Sequence, residues 1–242
     1  MPRTSRAAVL AAAVISACTA ALEPGSLSYD PLEEQNREAH ALNKAIDRNA
    51  FGPLARGYGE AVPQPARSTI RNLRNNWRLP AHTVQYALQG KGQLSLEAAS
   101  RFTVNTLFGV GGLLDPATEA GLAYRETNFD ETFYAWGVPE GGYLEVPVGG
   151  PGTQRDWTGW VLDQVLDPAW YALPVAAGNA LLVLGGLDIV NDRYELDPVL
   201  GELYYRSADS YEAQRIAYLQ NMRARLQGGT DVEQLEDVYA DY

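Results

Sequence analysis

The sequence predicts an all-α protein, a single domain of amphipathic helices interrupted by one long loop rich in glycine and proline. Three observations carry that expectation. Apolar residues recur at i, i+4 and i+7 in segments long enough to be helices. Helix punctuation stands at the ends of those segments, with Asp30 and Pro31 ahead of the first and Gly90 behind a later one. Only "YLEVPV", from Tyr143 to Val148, has the texture of a strand, and Pro147 confines it to an edge or an extended run.

Taken in order, residues 1–17 read as a signal peptide. Arg3 and Arg6 form a short basic region, and Ala7 to Ile15 form an uncharged, helix-favouring run of nine residues. That run is too short for a hydrocarbon core of roughly 30 Å, which takes about 20 apolar residues. It suits the apolar region of an export signal, with small Ser16 and Ala17 before the cut. Cys18, the one cysteine in 242 residues, follows directly. This "ISAC" resembles the lipobox of bacterial lipoproteins, with Ile15 where leucine is usual. The resemblance implies diacylglycerol on the Cys18 sulfur, cleavage just before it, and acylation of the new amine, as with palmitate. The alternatives are a plain secretory signal or a buried free thiol. A core cysteine inside a removable segment makes little sense, and a lone thiol in an oxidising compartment is a liability. Thr19 replaces the aspartate that would resemble an inner-membrane retention signal, which places the expected anchor in the outer membrane. Residues 18–28 are then a lipid-anchored linker.

The first helix is expected from "DPLEEQNREAHALNKAI", with Asp30 as N-cap, Pro31 at the first helical position and Glu33 three residues after the cap. Leu32, Ala39, Leu42 and Ile46 give it a thin apolar stripe. In "PQPARSTIRNLRNNWRLP", Ala66, Ile70, Leu73 and Trp77 share one helical face, and Arg67, Arg71, Arg74 and Arg78 share the neighbouring one. Two readings stand for the arginines. One is a solvated face, or pairing with the chain's own carboxylates. The other is an interfacial helix whose guanidinium groups meet lipid phosphates while Trp77 sits at headgroup depth. Pro80 is expected to end this helix and start another, closed by Gly90.

A longer helix follows in "LSLEAASRFTVNTLFGVGGLLDPA", with Leu96, Ala99, Phe102, Thr103, Thr106 and Leu107 along one face. Gly109, Gly111 and Gly112 crowd its apolar end, where glycine permits a bend or close backbone approach. Residues 129–159 read as the long loop, with "RDWTGWVLDQVL" starting the next helix. Residues 168–187 carry no charge; a buried core helix pair and a lipid-facing surface both fit. "SADSYEAQRIAYLQNMRARLQ" predicts a surface helix that buries Tyr211, Tyr218, Leu219, Met222 and Leu226 and stops at Gly228. Residues 228–242 form an acidic tail.

Charge and chemistry narrow the function. Formal net charge is −11, and −13 without residues 1–17, whose only charged side chains are two arginines. Such acidity excludes a nucleic-acid binder, since phosphate neutralisation supplies most of that affinity. It also excludes a protein held to anionic lipid by charge alone. His40 and His82 each stand alone on a helix, and no HExxH, GxSxG or SxxK motif or paired Cys/His spacing occurs. No cofactor or metal is expected. Acid pairs such as Glu33 and Glu34, or Asp188 and Asp192, are available for a two-carboxylate hydrolase, but helix-surface carboxylates ordinarily serve solubility. The sequence is read as that of a protein that is not an enzyme.

Over residues 29–227 the landmarks "DPLEEQNR", "VPQPARSTIRNLRNNWRLP", "ALQG", "RFTVNTLFGVGGLLDPA", "YAWGVPEGGYLEVPVGGP", "RDWTG" and "DPAW" occur in an order and spacing that resemble the VacJ/MlaA outer-membrane lipoproteins. The resemblance implies amphipathic helices arranged as a ring embedded in the outer membrane from its periplasmic side, around a channel that admits phospholipid. It implies removal of misplaced phospholipid from the outer leaflet, delivery to a soluble periplasmic carrier, and association with a trimeric porin. Asn105, Gly109, Gly111, Gly112 and Asp115 match the glycine-rich landmark, and Arg155 and Asp156 match the "RD" landmark; these are the candidate passage residues. The alternative is an envelope scaffold lipoprotein that holds porins without transporting lipid.

Overall fold

The computed structural model describes residues 30–227. The signal segment, Cys18 with its linker, Gly228 and the acidic tail lie outside the described residues. Helix α1 (Glu33–Ile46) runs through a π-helical turn (Asp47–Phe51) into α2 (Gly52–Ala61), followed by α3 (Gln64–Leu88) and α4 (Gly92–Phe108). Short α5 (Pro116–Glu119) and α6 (Phe129–Ala135) precede strands β1 (Tyr143–Val146) and β2 (Gly150–Thr153). Then come α7 (Gln154–Val165), α8 (Pro168–Ala172), α9 (Val175–Glu195), α10 (Asp197–Leu200), a second π-helical turn (Gly201–Arg206) and α11 (Ser210–Leu226). The chain is one mostly helical domain.

Local chemistry starts several of these helices. Asp115, Asn128, Thr153 and Asp209 each accept a first-turn backbone N–H with a side-chain oxygen, Asn128 at 2.9 Å from Glu131 and Asp209 at 3.1 Å from both Tyr211 and Glu212. Such caps contribute about 0.5–2 kcal/mol each. Asp30 is not the N-cap of α1 and Pro31 is not its first residue, since Leu32 stands at the cap and the helix starts at Glu33. The Asp30 carboxylate takes the Leu32 N–H at 3.2 Å and the Asn36 amide at 3.0 Å, closing a turn before α1 begins.

Two expectations are corrected here. Pro80 does not break the chain into two helices; α3 runs through it for 25 residues. An internal proline costs about 3 kcal/mol. The pairing of α3 with α4, the most extensive among the described residues, outweighs it by burying Leu79, Tyr86 and Ala98 against Leu94, Phe102 and Tyr124. The long loop is likewise largely structured. It holds α6 and an antiparallel hairpin pairing Tyr143 with Thr153 and Val146 with Gly150. In a two-stranded sheet both strands are edges, so Pro147 in the turn and Pro151 in β2 break no interior ladder.

Contacts pass from α1 to β1, from β2 to α7, and on through α6, α3, α9 and α2, returning by the first π-turn to α1. Helix α11 lies on β2 and the second π-turn, with Tyr211, Leu219 and Met222 buried beside Tyr143 and flanked by Tyr218 and Leu226.

The helices face the opposite way from that expected of a water-soluble protein. Among the described residues twenty polar or charged side chains are buried against twelve hydrophobic ones, while twenty-seven large hydrophobic residues are exposed. Helix α1 buries Asn36, Ala39, His40 and Asn43 and leaves Leu42 exposed. Helix α4 buries Ala98, Arg101 and Asn105, whereas Leu96 and Leu107 of its apolar face are 70% and 69% exposed. The uncharged stretch is not a buried helix pair. It breaks at Leu173–Pro174, and α9 carries Val175, Leu182, Val183 and Ile189 outward with 17% of its apolar window buried. Among the described residues α9 alone is long and apolar enough to cross a membrane.

Candidate functional site

The glycine-rich landmark folds onto α3 as a tight polar knot. Asn105 donates to Asp115 at 2.8 Å and accepts the Ala117 N–H at 2.9 Å. Arg101 grips both Asp115 oxygens at 2.9 Å. Burial alone would raise the Asp115 carboxyl. The hydrogen bonds from Thr118, Asn105 and Arg101 outweigh it and hold the group below the usual carboxylate range. Gly109 and Gly112 are required by close approach. A Cβ at Gly109 would stand 2.5 Å from the Asn105 and Leu114 carbonyl oxygens. One at Gly112, where φ is +102°, would stand 2.5 Å from the Asn76 Cβ. Gly111, also at positive φ, faces open space. Asn75, Asn76, Leu79, Arg101 and Tyr124 line an adjoining cavity of about 10 Å³, space for about one water and no lipid. Asn75 Oδ1, Asn76 Oδ1 and Arg101 Nε have no hydrogen-bond partner there.

Arg155 and Asp156 form a separate group, with no hydrogen bond or ion pair to the first. Arg155 is buried; it donates to Asp130 of α6 at 2.6 Å and to the Val138 carbonyl at 3.0 Å. Asp156 accepts the Tyr218 hydroxyl of α11. Burial holds the Asp156 carboxyl above its ordinary range. The pair therefore clips α7 to α6 and α11. Asp130, the partner of Arg155, went unmarked in the sequence because 25 residues separate them.

Three of the four stripe arginines are engaged within the protein, which favours pairing with the chain's own carboxylates over the headgroup reading. Arg67 meets Asn191 at 2.6 Å and Glu195 at 3.5 Å. Arg71 meets Asp188, Asp192 and Glu195 at 3.2, 2.6 and 3.1 Å. Arg74 shares buried Asp188 at 2.6 Å. The acids Asp188 and Asp192, considered above as catalytic, are thus the counter-charges that hold α9 on α3. Arg78 has no hydrogen-bond or ion-pair partner among the described residues. Trp77 packs edge-on to Phe102 of α4, with ring centroids 5.8 Å apart, and serves the helix pairing.

Two buried polar centres escaped the sequence reading. Glu145 accepts from His40 at 3.2 Å, Asn43 at 3.1 Å and Tyr143 at 3.2 Å, joining α1 to the hairpin. Arg193 of α9 grips Asp47 in the first π-turn at 2.5 and 2.9 Å. Burial raises Asp47, and the Arg193 and Tyr205 hydrogen bonds more than offset it, leaving the carboxyl below its ordinary range. A polar side chain on an otherwise weakly apolar helix gave the only signal for either centre.

The outer surface completes the geometry. Leu107, Phe108, Val110, Leu113 and Leu114 project around the knot, and Trp160, Val161, Val165, Leu166 and Tyr171 project from α7 and α8 or the turn between them. Val110 keeps this outward position at a φ of +55°, strained for a β-branched residue. Large apolar side chains exposed in such clusters mark an interaction surface. A polar interior and an apolar exterior now stand together on one helical frame, and the model of the MlaA lipoprotein family matches residues 28–225.

The chain belongs to the MlaA lipoprotein family.

Similar members include the intermembrane phospholipid transport system lipoprotein MlaA of Haemophilus influenzae, 30% identical over 99% of this chain and 96% of that protein. The MlaA of Escherichia coli is 32% identical over 83% of this chain and 79% of its own length. An uncharacterized Rickettsia felis protein is 31% identical over 82% and 78%. A solved structure from work on the structural basis for maintenance of bacterial outer membrane lipid asymmetry shares 34% identity and superposes with a TM-score of 0.69. It covers 79% of this chain and 96% of that one. The MlaA family match spans the glycine-rich knot, the α3–α9 ion network and the Arg155 clip.

Proposed function

We infer that this protein is an intermembrane phospholipid transport lipoprotein of the outer membrane, which maintains lipid asymmetry by removing phospholipids from the outer leaflet. It is not an enzyme. The observation that supports this reading most is the inverted polarity of the fold. The chain buries Asn, Arg, Asp and His and exposes Leu, Val, Phe and Trp, an arrangement stabilised by hydrocarbon outside and polar groups inside. The helices lie in the membrane as a ring, following the closed order of contacts from α1 through α9 and α2. Cys18 carries the acyl anchor, and α4, α7, α8 and α9 supply the lipid-facing surface. The passage for headgroups follows the polar side of α3 and α4 by the Asn105–Asp115 knot, with Arg155 and Asp156 fixing the opposite helices. The knot, with its water-sized cavity, is wall and not lumen. A soluble periplasmic carrier receives the lipid, and a trimeric porin holds the protein in place.

Outer-leaflet phospholipid in a deletion strain complemented with wild type or Cys18→Ala tests this. Phospholipid is expected to accumulate in the outer leaflet of the deletion and of the Cys18→Ala strain and to clear with wild type. A deletion strain with normal outer-leaflet composition would overturn the reading. Purified protein that captures porin yet moves no lipid would establish the scaffold alternative.

A further inference from the structure

Fifteen arginines lie among the described residues, and thirteen have a carboxylate within ion-pair distance. Arg48 lacks one but lies over the Tyr205 ring at 5.1 Å. Arg78 alone has neither an acid nor an aromatic face. In a chain with 30 acidic residues this is the exception to explain.

Its setting is polar and unfinished. One turn on, at i+4 on the same face of α3, His82 is 1% exposed and neither ring nitrogen has a partner. Leaving two buried polar atoms unpaired costs about 1–3 kcal/mol each, so the site is built for something that pairs them. Burial first, then the fields of Arg78 and Arg74, push the His82 pKa down to about 3, so the ring is neutral and offers one donor and one acceptor. Tyr124 flanks the imidazole at 5.9 Å. Asp163 of α7 feels the field of Arg78, but its Oδ1 takes the Gln85 amide at 2.6 Å and the Phe129 N–H at 3.2 Å, and it makes no ion pair with Arg78. Arg74 is held by Asp188. Arg78 and His82 thus combine a cation without an ion-pair partner among the described residues, a neutral imidazole and no competing anion within ion-pair distance of Arg78.

We propose that Arg78 and His82 form a station for the phosphate of a phospholipid headgroup inside the passage, the guanidinium donating to the phosphate oxygens and the imidazole N–H completing the set. The assignment rests on the transport reading above and gives that passage its first specific contact. Inorganic phosphate offers anionic oxygens of the same kind without the glycerol ester, headgroup or acyl chains.

The test uses the full acylated protein in neutral detergent, titrated with dihexanoyl phosphatidylglycerol, dihexanoylglycerol and inorganic phosphate. Arg78→Gln is expected to weaken the phospholipid about tenfold or more, Arg78→Lys to recover most of that, and neither to change dihexanoylglycerol binding. His82→Phe, with Arg78 intact, is expected to weaken the phospholipid severalfold and keeps the test valid if Arg78→Gln does not fold. Equal phospholipid binding by wild type, Arg78→Gln and His82→Phe would overturn the station and leave the transport reading standing. Inorganic phosphate binding as tightly as the phospholipid, with the same dependence on Arg78, would overturn the lipid assignment. Wild type that binds no phospholipid would overturn both.

Discussion

Replacement of Gly112 by alanine isolates what holds the glycine-rich knot against α3. At φ +102° an L-residue costs about 1–2 kcal/mol. The added Cβ would also lie 2.5 Å from Asn76 Cβ and 2.6 Å from its amide nitrogen. Asn76 is 1% exposed and donates to Thr106 at 3.2 Å and to the Gly111 carbonyl at 3.3 Å, so it cannot swing away without losing both bonds. Overpacking of this kind costs about 1–3 kcal/mol. Reduced freedom of the unfolded chain returns about 0.4–1 kcal/mol. The net expectation is a loss of about 1–4.5 kcal/mol, centred near 3. Gly111→Ala is the internal control, because it shares the positive φ but meets nothing within 4 Å, and should lose about 1 kcal/mol. Urea unfolding of the detergent-solubilised proteins, followed by circular dichroism, measures both. Losses that agree within about 0.5 kcal/mol would refute the claim that Asn76 and Gly112 are in obligatory close approach.

Asp188→Asn should destabilise by about 3–5 kcal/mol, because buried Asp188 neutralises both Arg71 and Arg74, whereas Glu195→Gln at the exposed end should cost about 0–1 kcal/mol; paired urea titrations would show the contrast. His82 binds a proton below about pH 6.5 when unfolded but only near pH 3 when folded, so its contribution to stability is lost as pH falls through that window. His82→Phe should flatten the decline between pH 6.5 and 4. Asp163 has the opposite sign: burial, its largest cause, lifts the carboxyl to about 6, so its contribution falls as pH rises from about 4 to 6, and Asp163→Asn should remove that part of the slope. Leu182→Glu combined with Ile189→Glu, in a Cys18→Ala background, should leave helix content unchanged while lowering the fraction that sediments with membranes, since both side chains are more than half exposed.

The longer helices were legible in the sequence, and which side of each meets solvent was not legible from periodicity alone. Residues 210–226 carried a cap at Asp209 and buried the expected aromatic and aliphatic side, because that helix packs on protein. The apolar stripes of α1 and α4 were equally visible, but periodicity reports that a helix has two sides without saying which solvent each meets. Leu42, Leu96 and Leu107 point outward, and Asn36, Arg101 and Asn105 point in. The α6 segment was read as loop despite Asn128 and Glu131 at capping spacing, since seven helical residues give no period to detect. Strand β2, "GPGT", hides behind two glycines and a proline. Among site residues, Asn105, Gly109, Gly112 and Asp115 do meet. Arg155 and Asp130, Arg193 and Asp47, and Glu145 and His40 are joined only by tertiary structure, across 25 to 146 residues.

Transfer of labelled phospholipid from vesicles containing the purified acylated protein to a soluble lipid-binding acceptor tests the central claim most directly. The account predicts that intact protein accelerates transfer over protein-free vesicles and that Arg78→Gln transfers more slowly at equal membrane content. Transfer no faster than from protein-free vesicles, by protein that is folded and membrane-bound, would contradict it.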